Sequence, residues 1–146
     1  MVSDRADPVL QKLRGDDPLI AVVGATDHPA KYGGIIYRNL KRKGYRVVAV
    51  NPYRDSVDGD AAYPMLADLP ERPDIIDFVV PPSRTLRVLG EASDLGMRTV
   101  WVQPGAESSE VVRFLEEGGF DYVVDACIMV ASPPRAGSAP QGIDNR

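Results

Sequence analysis

The fold follows from residues 19–52, LIAVVGATDHPAKYGGIIYRNLKRKGYRVVAVNP. The run at 19–23 is wholly apolar and the run at 46–50 is apolar after Arg46, and such short apolar runs are typical of strands buried on both faces of a parallel sheet. Between them, the apolar residues of 33–43 recur at helical spacing, and Gly44 stands where a helix-ending glycine belongs. The stretch therefore predicts a strand, a helix and a second strand parallel to the first.

The same alternation continues along the chain. Apolar runs predict three further strands, at 75–80, 99–102 and 121–124. Helical spacing predicts the intervening helices, one opened by Ser83 and one by Glu107 or Ser108, whereas 61–69 offers at most a turn of helix. The pattern predicts a Rossmann-like, doubly wound α/β domain with a mainly parallel five-stranded sheet and helices on both faces.

The two ends of the chain differ from this pattern. Residues 1–17 contain a short amphipathic helix at 8–14 and are predicted to form an N-terminal helical flap. Residues 18–131 form the predicted domain. Residues 132–146, SPPRAGSAPQGIDNR, are rich in Pro, Ser, Gly and Ala without periodicity and predict a disordered tail.

Charge and composition exclude several classes of protein. The 146 residues carry a formal net charge of -4, which disfavours nucleic acid as a partner. One cysteine and one histidine exclude a disulfide framework and a structural zinc site within the chain. No run resembles a signal peptide or a membrane span, so a cytoplasmic protein that does not bind membranes is expected.

In a parallel sheet of this kind, ligands bind beyond the carboxyl ends of the strands, where strand order reverses. The loop at 24–34 follows the first strand and leads into a helix, so backbone N–H groups and the helix dipole favour an anion there. Gly24 permits close approach of the backbone, and Lys31 adds a positive charge. The loops at 51–54, 81–84 and 103–107 are expected at the same edge.

The loop lacks the common nucleotide fingerprints. A nicotinamide dinucleotide site requires G-x-G-x-x-G and an acidic residue after the second strand, but Thr26 and Pro29 replace the second and third glycines, and Asn51 replaces the acid. The G-x-x-x-x-G-K-[ST] loop of nucleoside triphosphate enzymes is absent as well. A nucleotide of another kind is therefore expected.

The motifs resemble the CoA-binding domain family, whose members include stand-alone proteins and the first domain of the succinyl-CoA synthetase alpha chain and of ADP-forming acyl-CoA synthetases. The similarity runs from about Pro18 to Val130. It is carried by Gly24-Ala25-Thr26 after the first strand and Val50-Asn51-Pro52 at the end of the second, together with the runs WVQPGAES and DACIMV. At the end of the third strand the chain has VVPP, whereas many stand-alone members have a basic Phe-Arg-Arg-Pro-like run.

This resemblance implies that coenzyme A lies across the carboxyl edge of the sheet. Gly24, Ala25 and Thr26 would approach its phosphates, and the loop would be closed by Lys31, Tyr32 and Gly33. Asn51 and Pro52 would border the adenosine. The pantetheine side of the groove would be walled by Val80, Pro81 and Pro82.

No catalytic group is predicted. His28 has no acidic partner placed by a motif, and Cys127 follows the fifth strand, where burial is the favoured interpretation and contact with the CoA thiol the alternative. The leading hypothesis is a carrier, sensor or regulatory module for CoA or acyl-CoA, alone or as a homo-oligomer. The alternative is a component of an acyl-CoA synthetase whose catalytic domains lie on partner chains, and an NAD(P)-binding oxidoreductase is disfavoured.

Overall fold

A computed structural model describes residues 4–135. Its strands are β1 Leu19–Val23, β2 Arg46–Val50, β3 Ser56–Val57, β4 Asp60–Tyr63, β5 Ile75–Phe78, β6 Thr99–Val102 and β7 Asp121–Val123. Its α-helices are α1 Asp7–Leu13, α2 Tyr32–Arg42, α3 Pro82–Asp94, α4 Ser109–Glu117 and α5 Ile128–Ala131.

These strands form one sheet in the order β3-β4-β2-β1-β5-β6-β7. Every neighbouring pair is parallel except β3 and β4. The chain leaves β1 toward β2 on one side and later returns to β5 on the other, so strand order reverses between β1 and β5. The predicted doubly wound α/β class is confirmed, and the ligand groove is expected at this reversal.

The predicted strand count of five is wrong, because β3 and β4 form a short hairpin within what was expected to be a polar loop. Asp58 and Gly59 both have positive φ, 51° and 80°, which is the backbone conformation of a tight hairpin turn. The Tyr37 hydroxyl donates a 2.8 Å hydrogen bond to Asp60, and Lys41 forms ion pairs with Asp58 and Asp60. These long-range contacts stabilise strands that, at two and four residues, are too short to be predicted from their own sequence.

Two further local predictions can be compared with the structure. Residues 61–69, predicted to offer at most a turn of helix, complete β4 and then make a single 3-10 turn at Leu66–Asp68. Ser83 does not cap α3, because Pro81 occupies the N-cap position and Pro82 begins the helix. Proline is suited to the first turn, where its missing N–H would have no partner in the helix.

The core has two layers, one on each face of the sheet. On one face, α1, α2 and α5 bury Val9, Ile36 and Ile128; on the other, α3 and α4 bury Leu89 and Leu115. This arrangement agrees with the expected helices on both faces. No helix of residues 4–135 is long and apolar enough to cross a membrane.

Asp77 is the exception within this apolar core. It lies in β5, flanked by Val22 of β1 and Trp101 of β6, and it has no solvent exposure. Neither carboxyl oxygen has a hydrogen-bond partner among the described residues. Burial raises the pKa of the Asp77 carboxyl well above its usual range.

The two ends of the described chain pack against the domain. α1, within the predicted flap, buries Val9 and Leu13 completely. The first residues of the predicted disordered tail, 132–135, are held instead by hydrogen bonds: the Tyr45 hydroxyl donates to the Pro133 carbonyl and the Arg135 N–H donates to the Lys43 carbonyl, both at 2.8 Å. The rest of the predicted tail, 136–146, lies outside the described residues.

Candidate functional site

Strand register aligns the loops that form the groove. Val23 at the end of β1 pairs with Val50 on one side and Phe78 on the other, and Val50 also pairs with Tyr63 of β4. The residues that follow these strand ends therefore lie along one edge of the sheet, in the order Pro64, Asn51, Gly24 and Val79.

The groove at this edge has two lobes. The glycine lobe, a cavity of about 700 Å³, lies over the loop after β1 and the start of α2 and is lined by Gly24, Thr26, Lys31, Tyr32, Gly33 and Pro81 among others. The arginine lobe, of about 370 Å³, lies toward β4 and α3 and is lined by Pro52, Pro64, Met65, Arg84, Arg87 and Val88 among others. Both lobes share Gly24, Asn51, Tyr53, Val80 and Arg84. These volumes are in the range of small-molecule sites.

Glycines at two positions allow the loop after β1 to pack closely. Gly24 has a φ of 101°, and a Cβ there would overlap the Val79 carbonyl. Gly33, in the first turn of α2, lies so close to the loop that a Cβ would overlap the Gly24 carbonyl. Gly33 therefore seats the start of α2 on the loop, so that the backbone of both forms one wall of the glycine lobe.

The polar side chains of these loops are largely used to shape them. Thr26 Oγ1 accepts a 3.2 Å hydrogen bond from the His28 N–H, and His28 Nδ1 accepts one of 3.2 Å from the Ala30 N–H. The Asn51 amide donates to the Ala25 carbonyl at 2.9 Å, and its oxygen accepts from the Tyr53 N–H at 2.8 Å. Asn51 thus ties the loop after β2 to the loop after β1.

The start of α2 offers donors to an anion. Lys31 is the N-cap residue and no side chain caps the helix. The first N–H groups of a helix have no partner within it, so the N–H groups of Tyr32 and Gly33 are available beside the cavity. The exposed Lys31 ammonium adds a full positive charge at the same place.

The arginine lobe combines an apolar wall with two cations. Pro52, Met65 and Val88 supply apolar surface, and the Arg84 guanidinium lies 5.2 Å from the centre of the Tyr53 ring. Glu91 also lines this lobe, but its carboxylate accepts hydrogen bonds from the backbone N–H groups of Leu66 and Ala67, at 3.3 and 3.0 Å. The chain lacks the basic Phe-Arg-Arg-Pro-like run described above, but four cations still line the groove: Lys31, Arg54, Arg84 and Arg87.

A smaller cavity of about 210 Å³ shares Tyr32, Val79 and Pro104 with the glycine lobe and contains Cys127. Gln103 donates a 3.3 Å hydrogen bond to the Cys127 sulfur and accepts one of 3.0 Å from the Ile128 N–H. Burial was the favoured interpretation of Cys127, whereas the structure leaves the residue half-buried at the wall of this cavity.

The structure brings together ten of the eleven residues predicted for the site, which line one lobe or both. Ala25 is the exception: it is completely buried, and its carbonyl accepts the Asn51 amide. Four residues that line the arginine lobe were not predicted to belong to the site: Pro64, Met65, Arg87 and Val88. Pro64 and Met65 could have been found only by predicting β4, whereas the spacing of Arg84 and Arg87 on one helical face was a usable signal.

Within the described residues, no group of three or more His, Cys, Asp or Glu side chains could hold a metal ion. Fold and groove together define a Rossmann-like α/β domain with a small-molecule groove at its strand-order reversal.

The comparisons with known proteins give the family. Residues 19–133 match the family model described as CoA binding domain. The chain belongs to this CoA-binding domain family.

Its relatives include both stand-alone proteins and parts of larger enzymes. A solved structure of a conserved hypothetical protein from Pyrococcus furiosus is 48% identical, with a TM-score of 0.75 over 77% of this chain and 97% of that one. Uncharacterized protein YneT of Bacillus subtilis (strain 168) is 29% identical over 77% of this chain and 83% of its own length. The alpha subunit of an ADP-forming acetate–CoA ligase II from Pyrococcus furiosus is 34% identical over 75% of this chain, but the match spans only 26% of that subunit.

Proposed function

We propose that the chain binds coenzyme A or an acyl-CoA in the two-lobed groove and serves as a carrier, sensor or regulatory module without catalysis of its own. The observation that carries this proposal is the juxtaposition of the backbone-walled glycine lobe with Arg84 and Arg87, which form no ion pair within residues 4–135, in a chain whose residues 19–133 match the CoA-binding family. An anionic nucleotide is the ligand that such a combination favours.

Coenzyme A fits this groove by the chemistry of its parts. Its pyrophosphate would lie in the glycine lobe, near the N–H groups of Tyr32 and Gly33 and the Lys31 ammonium. Its adenosine would lie in the arginine lobe, where Pro52 and Met65 offer apolar surface to the base. The pantetheine would continue along Pro81 and Pro82.

The smaller cavity would receive the thiol end of the pantetheine. It opens beside Tyr32 and Val79, which also line the glycine lobe. Its size, about 210 Å³, suits a free thiol or a short acyl group better than a long fatty chain.

The side chains that could act on a thioester already make hydrogen bonds within the domain. The ring of His28 is exposed, and its Nδ1 accepts the Ala30 N–H. Cys127 and Gln103 are paired with each other, and within residues 4–135 neither hydrogen-bonds a histidine or a carboxylate. A nucleophile is activated by an adjacent base, and the described part of the chain places no such base in hydrogen-bond contact with Cys127. This supports binding without turnover.

The alternative is a CoA-binding component of an ADP-forming acyl-CoA synthetase, with the catalytic domains on partner chains. The similarity to the ligase alpha subunit favours it, because this chain corresponds to about a quarter of that subunit. In this case the same groove would present CoA to the partner's catalytic site, and the chain alone would still be inactive.

Calorimetric titration of the purified chain with CoA, NAD and ATP tests the proposal. CoA is expected to bind at least tenfold more tightly than the other two. No binding of CoA at millimolar concentration, or NAD binding as tight as CoA binding, would contradict the proposal. Addition of candidate partner chains with acetate, ATP and CoA then distinguishes the alternative, which requires acyl-CoA formation only in the mixture.

A further inference from the structure

Arg84 and Arg87 lie one helical turn apart on α3 and both line the arginine lobe. Among residues 4–135, neither guanidinium forms a side-chain hydrogen bond or an ion pair with a carboxylate, and the Arg84 guanidinium lies 5.2 Å from the centre of the Tyr53 ring. Arg54, by contrast, has Asp27 3.6 Å away. Two like charges on one helical face repel each other, so their placement beside an apolar slot indicates an anionic partner.

We infer that Arg84 and Arg87 form a phosphomonoester subsite that binds the 3′-phosphate on the ribose of coenzyme A. The inference rests on the proposed function and extends it, because it assigns the feature by which the chain would discriminate CoA from other adenine nucleotides. ADP, NAD and 3′-dephospho-CoA all carry adenosine and a pyrophosphate but no phosphate at the ribose 3′ position.

The charge of the lobe suits a phosphomonoester. Such a group carries nearly two negative charges at neutral pH and presents three acceptor oxygens. Guanidinium groups are planar and bind phosphate oxygens in pairs. The carboxylate that lines the lobe, Glu91, accepts hydrogen bonds from the backbone N–H groups of Leu66 and Ala67 and forms no ion pair with either arginine among the described residues.

The position of the pair separates it from the pyrophosphate. The N–H groups at the start of α2 and Lys31 belong to the glycine lobe, whereas Arg87 lines the arginine lobe alone. Arg84 lies where the two lobes meet. A ribose placed at this junction would direct its base toward Pro52 and Met65, and its 3′-phosphate would be left to the face of α3 that carries both arginines.

The experiment compares CoA with 3′-dephospho-CoA by calorimetry, using the parent chain, Arg87→Gln and Arg84→Gln. Arg113→Gln is the matched control, because Arg113 is also exposed, lies on the neighbouring helix α4 and lines neither lobe. Thermal unfolding of each variant checks that the fold is unchanged.

The parent is expected to bind CoA more than tenfold more tightly than 3′-dephospho-CoA. Arg87→Gln should weaken the affinity for CoA at least fivefold and change the affinity for 3′-dephospho-CoA by less than twofold, so that most of the preference for CoA is lost. Arg84→Gln should also reduce the preference, and Arg113→Gln should preserve it.

Two results would overturn the subsite while leaving the proposed function intact. One is equal affinity of the parent for both ligands, and the other is an equal loss of affinity for both ligands in Arg87→Gln. Failure of the parent to bind either ligand would instead reject the proposed function itself.

Discussion

The two lobes of the groove differ in which part of the protein forms their surface. In the glycine lobe the backbone forms the binding surface: Gly24 and Gly33 bring a loop and a helix start together, and the side chains of Thr26 and Asn51 hold that backbone in place. In the arginine lobe, side chains form the surface, with Met65 among the apolar residues and a pair of arginines on α3.

This difference separates two tasks. Backbone N–H groups at a helix start bind an anion of many kinds, because they recognise charge and not the rest of the ligand. Side chains of chosen shape and charge distinguish one nucleotide from another. We therefore expect changes in the glycine lobe to weaken the binding of all nucleotides, and changes in the arginine lobe to alter which nucleotide is preferred.

The largest effect is expected from Gly33→Ala, which tests the backbone lobe. The added Cβ would overlap the Gly24 carbonyl, so the helix start must move off the loop, at a cost of about 1–3 kcal/mol in the free energy of unfolding. CoA affinity should fall more than tenfold in calorimetric titration.

Gly90→Ala is the matched control for this change. Gly90 is also a helical glycine, in α3, but a Cβ there meets nothing within 4 Å. This variant should keep its affinity and gain up to about 1 kcal/mol in stability, because alanine favours the helix. Equal affinities of the two variants would show that the packing of Gly33 on the loop does not form the site.

Asp77→Asn tests whether CoA affinity depends on the residues of the two lobes or on the overall stability of the domain. The carboxyl is buried without a partner, and its pKa is raised well above the ordinary 3.8. The parent therefore loses stability as the pH rises from about 4 toward the folded pKa, at about 1.4 kcal/mol per pH unit. The variant does not titrate there, so its stability advantage over the parent should grow between pH 4 and pH 7.

Chemical denaturation at several pH values measures this advantage, and CoA affinity should be unchanged because Asp77 lines neither lobe. Parallel stability profiles for the parent and the variant would mean that the Asp77 carboxyl ionises normally in the folded chain.

Lys31→Met should have a smaller effect on affinity. The ammonium is exposed at the start of α2, where solvent weakens its attraction for a phosphate to about 0.3–1 kcal/mol. The affinities for CoA and for 3′-dephospho-CoA should both fall about two- to fivefold, and this loss of affinity should be smaller at high salt. A loss confined to CoA would place the 3′-phosphate in the glycine lobe and reverse the assignment of the lobes.

The slowest and smallest signal is expected at Cys127, which reports the direction of the ligand. If the thiol end lies in the small cavity, oxidised CoA should react with the Cys127 thiolate to form a protein–CoA disulfide and release one molecule of CoA. Mass spectrometry should detect a CoA-sized, reductant-sensitive adduct, formed faster than with oxidised glutathione at equal concentration. An unmodified cysteine after prolonged treatment would argue against this direction.

The two lobes also differ in how far the sequence predicts them. The glycine lobe follows local rules, because a buried strand, a glycine and a helix start are adjacent in the chain, and the register of parallel strands places Asn51 next to them. The strands at 19–23, 46–50 and 99–102 were predicted with their observed bounds.

The arginine lobe depends on contacts distant in sequence. β4 is only four residues long, and a hairpin turn and the side chains of Tyr37 and Lys41 hold it beside β2. Without β4, nothing placed Met65 beside Pro52. The same reason explains residues 132–135, whose composition predicts disorder but whose backbone is bound by Tyr45 and by the end of α2 through Lys43.

A crystal structure of the chain with CoA would show which part of the ligand each lobe binds. We expect the pyrophosphate in the glycine lobe within hydrogen-bond distance of the Tyr32 and Gly33 N–H groups, and the adenosine between Pro52 and Met65 with its 3′-phosphate at Arg84 and Arg87. CoA bound away from the carboxyl edge of the sheet, or with its adenosine in the small cavity beside Cys127, would contradict this expectation.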